Sequence, residues 1–262
     1  MAFDLPEIGL YFLLIGLAVL GGLLLLPYLL GPVLIYFTVR LSGNPVLEEL
    51  SLDDPDLPRS AEKYLVPTVE QLEEEGFELL GVYFMDEFVP KVKNFFALLG
   101  KPSTRELVLA AVTYPKSTPG HHLRHVEFST RMADGTVIDT NNSLELPAFK
   151  SVPGHHVVLL PWIRDVGELY RIHQAAVEYF SPGGTREWRV GDDPRGYFRQ
   201  ALLEEMAEQV ETGYFYRDAT GDFRPTLKGA ILMTYKNLWP ITAIRRALRR
   251  RRGERLLEKL QV

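Results

Sequence analysis

The sequence predicts an α+β protein: one N-terminal transmembrane helix, an antiparallel meander of about five strands packed with two or three amphipathic helices, and a basic amphipathic C-terminal helix. Three observations predict it. Residues 8–39, a run of 32, hold no charged side chain. Between residues 77 and 140 the apolar pattern has a period of two, broken by turn chemistry. Beyond residue 165 the period changes to that of a helix.

The charge-free run comes first. A bilayer crossing needs about 20 apolar residues, and a buried helix of a soluble protein rarely goes so long without a polar face. Pro27 and the Gly31-Pro32 pair punctuate the run, placing the span at about residues 8–30, with 33–39 continuing as a tilted helix or lying among headgroups. Tyr11, Tyr28 and Tyr36 suit interfaces. A cleaved signal peptide would want a basic front end and a shorter apolar stretch; here Asp4 and Glu7 precede the run, so an anchor is expected. Arg40, Arg59 and Lys63 follow it, and basic residues stay on the cytoplasmic side, which predicts the N-terminus outside and the soluble domain in the cytoplasm. Ala18 and Gly22 form a small-xxx-small pair through which two anchors could associate, although chance in a Gly- and Ala-rich span is the better account of it.

The expected divisions are an anchor over 1–40, a linker over 41–59, a soluble α+β domain over 60–225 and a basic tail over 226–262. Gly43, Asn44, Pro45, Pro55 and Pro58 mark the linker. A short helix is expected over 67–75, with Pro67 in its first turn, Val69 and Leu72 on one face and Gly76 as its stop. The five strands are placed at 77–85, 91–99, 106–114, 123–132 and 136–140. Asp134-Gly135 supplies the tight turn before the last. In 123–132, Val126, Phe128, Thr130 and Met132 alternate with Glu127, Ser129 and Arg131, as in a half-buried strand. In 165–180, Val166, Leu169, Tyr170, His173, Ala176, Val177 and Phe180 make one helical stripe. Asp192-Asp193-Pro194 opens a second helix whose stripe is Phe198, Leu202, Met206 and Val210. Helices on one face of the sheet would cover both patterns.

Composition narrows the chemistry only by exclusion. With 46% apolar and 24% charged residues the chain is ordinary for a folded protein. It has no cysteine, which excludes disulfides, thiolate metal sites and cysteine nucleophiles. G-x-S-x-G, P-loop and Rossmann fingerprints are missing, so no cofactor is implied, and Pro182-Gly183-Gly184 reads as a turn. One local repeat stands out. Pro119-Gly120-His121-His122 recurs as Pro153-Gly154-His155-His156, with His125 three residues past the first copy. Imidazoles ligate zinc, nickel or copper, so His121, His122, His125, His155 and His156 are the candidate metal ligands, with Glu127 or Asp165 to complete the set. Against this, adjacent strand residues point to opposite faces. Pro-Gly turns followed by polar strand starts explain the repeat without a metal. His173, on an apolar stripe, reads as a core histidine, and Asp134 and Asp139 as turn and strand-end residues.

The net charge of −5 conceals a split: ten basic and two acidic residues from Lys228 onward carry +8, which leaves −13 on the rest. Trp239 and its apolar neighbours are followed by Arg245, Arg246, Arg249, Arg250, Arg251 and Arg252. An amphipathic helix of this kind suits a bilayer surface, with anionic lipid headgroups as partners. Docking of the apolar stripe on the domain is the competing reading, and nucleic acid is the least favoured partner. The leading expectation for function is a non-catalytic binding or scaffold module at the cytoplasmic membrane surface. The alternative is a metal-dependent, hydrolase-like enzyme using the paired Pro-Gly-His-His turns.

Overall fold

A computed structural model describes residues 5–86, 88–116, 118, 120–147, 149 and 151–261. Pro119, of the first Pro-Gly-His-His copy, and Asp4 lie outside the described residues.

The charge-free run forms one continuous helix, α1 (Leu5–Thr38), with Pro27 and Pro32 inside it. Its stretch Gly9–Thr38 is long and apolar enough to cross a membrane. Beyond it Arg40 pairs with Asp222, and Leu41 exchanges two backbone hydrogen bonds of 2.9 Å with Phe223. Leu41, Leu47 and Leu57 are buried, and β1 (Glu48–Leu50) joins the sheet edge, so the segment after α1 is packed rather than a loose linker.

Helix α2 (Arg59–Glu74) begins a full two turns before the expected start and carries Pro67 in its interior. Tertiary packing of Ala61, Leu65, Val69 and Leu72 outweighs the one backbone bond that Pro67 removes. Gly76 ends the helix at φ +86°, with Gly76 N–H donating to Glu73 and Phe77 N–H to Leu72, the Schellman pattern that favours glycine.

The main sheet has seven strands where about five were expected, in sequential order: β1, then β2 (Glu78–Asp86), β3 (Val92–Lys101), β4 (Glu106–Pro115), β5 (Leu123–Arg131), β6 (Val137–Asn141) and β7 (His155–Leu159). The pairings are antiparallel as far as β6; β6 and β7 run parallel, making the sheet mixed. A second hairpin joins β8 (Phe215–Arg217) to β9 (Phe223–Pro225).

Helices cover both faces of the sheet, not one. Helix α2 and α3 (Val166–Phe180) pack on the first face over Phe95, Val108, Val126, Phe128 and Ile138. Helix α4 (Pro194–Glu211) and the hairpin pack on the second, over Tyr83, Phe96, Leu98 and Ala111. The cause is readable in β3, where the six residues from Phe95 to Gly100 are all buried: a strand apolar on both faces needs two covers. Both helix starts fall where the sequence places them, with Asp165 accepting from Glu168 N–H at 2.7 Å and Asp193 from Gly196 N–H at 2.8 Å.

The tail is two helices, α5 (Leu227–Asn237) and α6 (Ile241–Leu260), divided at Leu238-Trp239-Pro240. Helix α5 lies along the exit turns of α1: Tyr28 stacks on Tyr235 at 5.7 Å, and Gly31 meets Thr234 so closely that a Cβ there would come within 2.5 Å. Helix α6 turns back on the domain, where Gly253 sits against Trp162 and Leu256, Leu257 and Leu260 pack on the first core.

Candidate functional site

Strand alternation sorts β5 into two sets. Val126, Phe128 and Thr130 enter the core under α3, while Glu127, Ser129 and Arg131 point to the α4 side. On that second side the parallel register sets His155 of β7 opposite Val137 of β6, and the His155 ring reaches Asp139, one position further along the same face. Asn141, next on that face, donates from Nδ2 to Glu127 Oε2 at 2.7 Å. Helix α4 closes over these groups and leaves a cavity of about 210 Å³. Leu98, Leu107, Phe198 and Leu202 make its apolar wall, and Glu127, Asp139, Glu205 and Glu208 stand in the polar part.

The electrostatics follow from this enclosure. Burial, helped by the neighbouring Asp139 carboxylate, pushes Glu127 up to about 8, so at neutral pH it is mainly the neutral acid. The hydrogen bond to Asp139 raises His155 above the usual imidazole value and favours the imidazolium. Desolvation, with Asp139 next in importance, raises Glu205 as well. Asp139 is only 8% exposed, and its Oδ1 has no hydrogen-bond partner among the described residues.

The structure does not bring the five candidate histidines together. His121 and His122 lie just before β5 starts, and His155 and His156 pair with the part of β6 that lies beside the end of β5. His125 is six residues from Arg131, the β5 residue level with His155, a separation of about 20 Å at the usual strand rise. His122 packs on Tyr114, and His156 stacks on Phe180 across the sheet from His155. His125 is titrated downward by burial alone. Among the described residues, no group of three or more His, Asp or Glu side chains is arranged to hold a metal ion. The expected convergence of the two turns is therefore corrected: strand alternation divides His155 from His156, and the sheet's length separates the two copies.

His155 and Glu127 are nevertheless members of the α4-side cluster, through a carboxylate–imidazole contact rather than ligation. Asp139, which reads in the sequence as a strand-end residue, is its centre. Tyr197, Glu205 and Glu208 were missed by sequence reasoning, although the signal was there. Glu205 and Glu208 stand three residues apart beside the apolar stripe of α4, an unusual place for two carboxylates.

A second concavity lies under α6. Arg245, Arg249 and Arg252 recur at helical spacing and line a groove of about 540 Å³ with Lys236. Phe149, Val157, Leu159, Leu248 and Leu256 supply its apolar surface. Arg245 donates to the Lys236 and Pro147 carbonyls at 2.8 and 2.6 Å. Desolvation, then the charges of Arg245 and Arg252, lowers the pKa of Arg249, and the groove has no carboxylate among its described lining residues. The other arginines point elsewhere: Arg250 pairs with Glu254 and lies 5.7 Å from the Trp162 ring, and Arg246 and Arg251 are exposed. At the α5–α6 corner Trp239 is 78% exposed, and Ile244 and Leu248 are exposed with it.

His173 and Glu106 belong to the core. The His173 ring lies between the Thr130 and Thr140 hydroxyls at 2.8 and 3.1 Å. The fully buried Glu106 is held by Arg186 at 2.6 Å, Thr104 at 2.6 Å and Tyr170 at 2.9 Å, and by Gln174. Every oxygen of that carboxylate is occupied, which is how a buried charge is tolerated.

Compared with family models, curated proteins and solved structures, the chain matches none. The cavity under α4 and the groove under α6 are therefore the only guides to activity among the features described.

Proposed function

We propose that this protein is a single-pass, membrane-tethered binding module that works at the bilayer surface and holds anionic lipid headgroups in the groove under α6. The observation that carries the reading is the placement of Arg245, Arg249 and Arg252 in one groove, beside an exposed Trp239–Ile244–Leu248 edge, on a tail packed against the anchor. An apolar edge flanked by cations is the arrangement that inserts at a headgroup boundary. Each arginine near an anionic leaflet contributes about 1 kcal/mol, so three amount to roughly a hundredfold in affinity. Anionic lipid lines the cytoplasmic leaflet, so this reading has the domain on that side and the N-terminus outside. The last turns of α6, with Leu256, Leu257 and Leu260, dock on the core, so lipid contact falls to the helix as far as Arg252 and to the corner before it.

Native mass spectrometry of the full chain released from bilayers of equal phosphatidylcholine and phosphatidylglycerol tests this. Phosphatidylglycerol should stay bound preferentially, and the Arg245→Ala/Arg249→Ala/Arg252→Ala triple variant should lose that preference. Equal retention of the two lipids by the native chain would sink the reading.

A further inference from the structure

We propose that the cavity between the sheet and α4 binds a small organic cation, a protonated amine carried on an apolar body. This site is separate from the groove under α6 and does not depend on lipid binding there.

The argument starts from the two-sided lining. Leu98, Leu107, Phe198 and Leu202 offer an apolar wall, and the opposite side carries carboxyl groups from three elements: Glu127 on β5, Asp139 on β6, and Glu205 and Glu208 on α4. The cations facing them are few. Arg131 lies 3.6 Å from Glu204, which leaves His155 as the imidazole that serves Asp139 through Oδ2. Asp139 Oδ1, on a side chain within the cavity lining, has no donor among the described residues. A buried carboxylate oxygen without a donor is uncommon in a folded protein. An ammonium group supplies what is missing: three N–H donors and a positive charge, with room for one donor at Asp139 Oδ1 and others at the neighbouring carboxylates. A neutral hydroxyl offers one donor and no charge, and a carboxylate is repelled. The volume of about 210 Å³ admits an aryl-alkyl amine and excludes a folded partner.

Binding of such a cation favours the ionised form of Glu127, so it releases a proton where Glu127 was neutral. The titratable and charged groups facing Glu127 are Arg131, Asp139, His155, Tyr197, Glu204, Glu205 and Glu208. As pH rises, Glu127 and Glu205 ionise and His155 gives up its competing charge. All three changes strengthen binding in the same direction.

The test is calorimetric titration of the full chain in detergent, with protein-free micelles as baseline, using 2-phenylethylammonium, 2-phenylethanol and 3-phenylpropionate. The ammonium should bind at one per chain, the alcohol at least tenfold more weakly and the carboxylate not at all. Affinity for the ammonium should rise between pH 6 and pH 8. Asp139→Asn should weaken it tenfold or more, and Ala201→Phe, which fills the cavity from α4, should abolish it while the melting temperature stays within a few degrees. Equal affinity for ammonium and alcohol overturns the proposal, and so does undiminished ammonium binding by Ala201→Phe. The selectivity of the native chain decides the matter even where Asp139→Asn does not fold.

Discussion

Glu127 and His173 lie on opposite faces of the same part of the sheet, and burial acts on them with opposite consequences. Glu127, pushed up to about 8, holds a proton that the unfolded chain gives up near pH 4.5, so the folded state binds more protons between those values. Stability is then lost as pH rises from about 5 to 8, by on the order of 3 kcal/mol. The raised His155 adds a loss in the same direction, its contribution present below its unfolded value and fading as pH passes the folded one. Thermal unfolding of Glu127→Gln at pH 5 and pH 8 should show a flatter profile than the native chain; parallel profiles would show that Glu127 is not the titrating group. His173 behaves the other way. Burial lowers it to about 4, so the unfolded chain takes up a proton near pH 6.5 that the folded chain refuses. Stability is lost as pH falls from 6.5 toward 4. His173→Ala should cost about 3 kcal/mol through its cavity and the two abandoned threonine hydroxyls, and it should remove that acid-side loss. A denaturant titration at pH 7 and pH 5 measures both effects.

At the scale of elements, the helix starts and the strands of the meander were legible because they are local. Asp165 and Asp193 cap within one turn, and the alternation of Val126, Phe128 and Thr130 needs no partner to be recognised. What was not legible depends on distant packing. The span of α2 is set by the core on which Leu65 and Leu72 rest, so Pro67 is carried within a helix it would end in isolation. Strand β7 is five residues long and exists because β6 offers it a parallel edge, an association invisible in periodicity. The tail reads as one amphipathic helix, yet Pro240 divides it, and its halves find separate supports on α1 and on the core. Gly31 is the position on which the first support turns. Gly31→Leu drives a side chain into Thr234, and hydrogen exchange of the α5 amides from Ala230 to Thr234 should speed up by about tenfold or more as the helix loosens. Unchanged protection there would mean that α5 does not rely on this contact.

Over the whole molecule, the charge split visible in the sequence becomes a split between two concavities. The acidic body presents carboxyl groups under α4, and the basic tail gathers arginines under α6. The sequence could announce the imbalance but not where it is concentrated, because Glu127, Asp139 and Glu205 are brought together only by sheet register and by the helix laid over it. The anchor admits a dimensional argument. The 30 residues of Gly9–Thr38 extend about 45 Å as a helix, against a hydrocarbon thickness of about 30 Å. The excess matches the stretch from Tyr28 onward that packs against α5, which leaves the largely exposed residues before Pro27 as the part that would lie in a bilayer. Because the chain has no native cysteine, single substitutions report cleanly. In liposomes Leu17→Cys should resist a membrane-impermeant maleimide, and Phe37→Cys should be labelled from the domain's side of the bilayer. Equal labelling of the two would contradict this depth assignment.

The packing of α5 along α1, with Arg40 and Leu41 bound to the β9 hairpin, removes the swivel that most tethered domains possess. A domain on a flexible stalk sweeps a hemisphere and meets its targets at any height above the lipid. Here the stalk is part of the fold, so under the proposed tethering the body would travel with its helix like a keel, free to drift and spin in the plane but not to tip. Encounters would thereby be confined to a thin slab of fixed altitude, in which a surface-bound target would be met by two-dimensional diffusion.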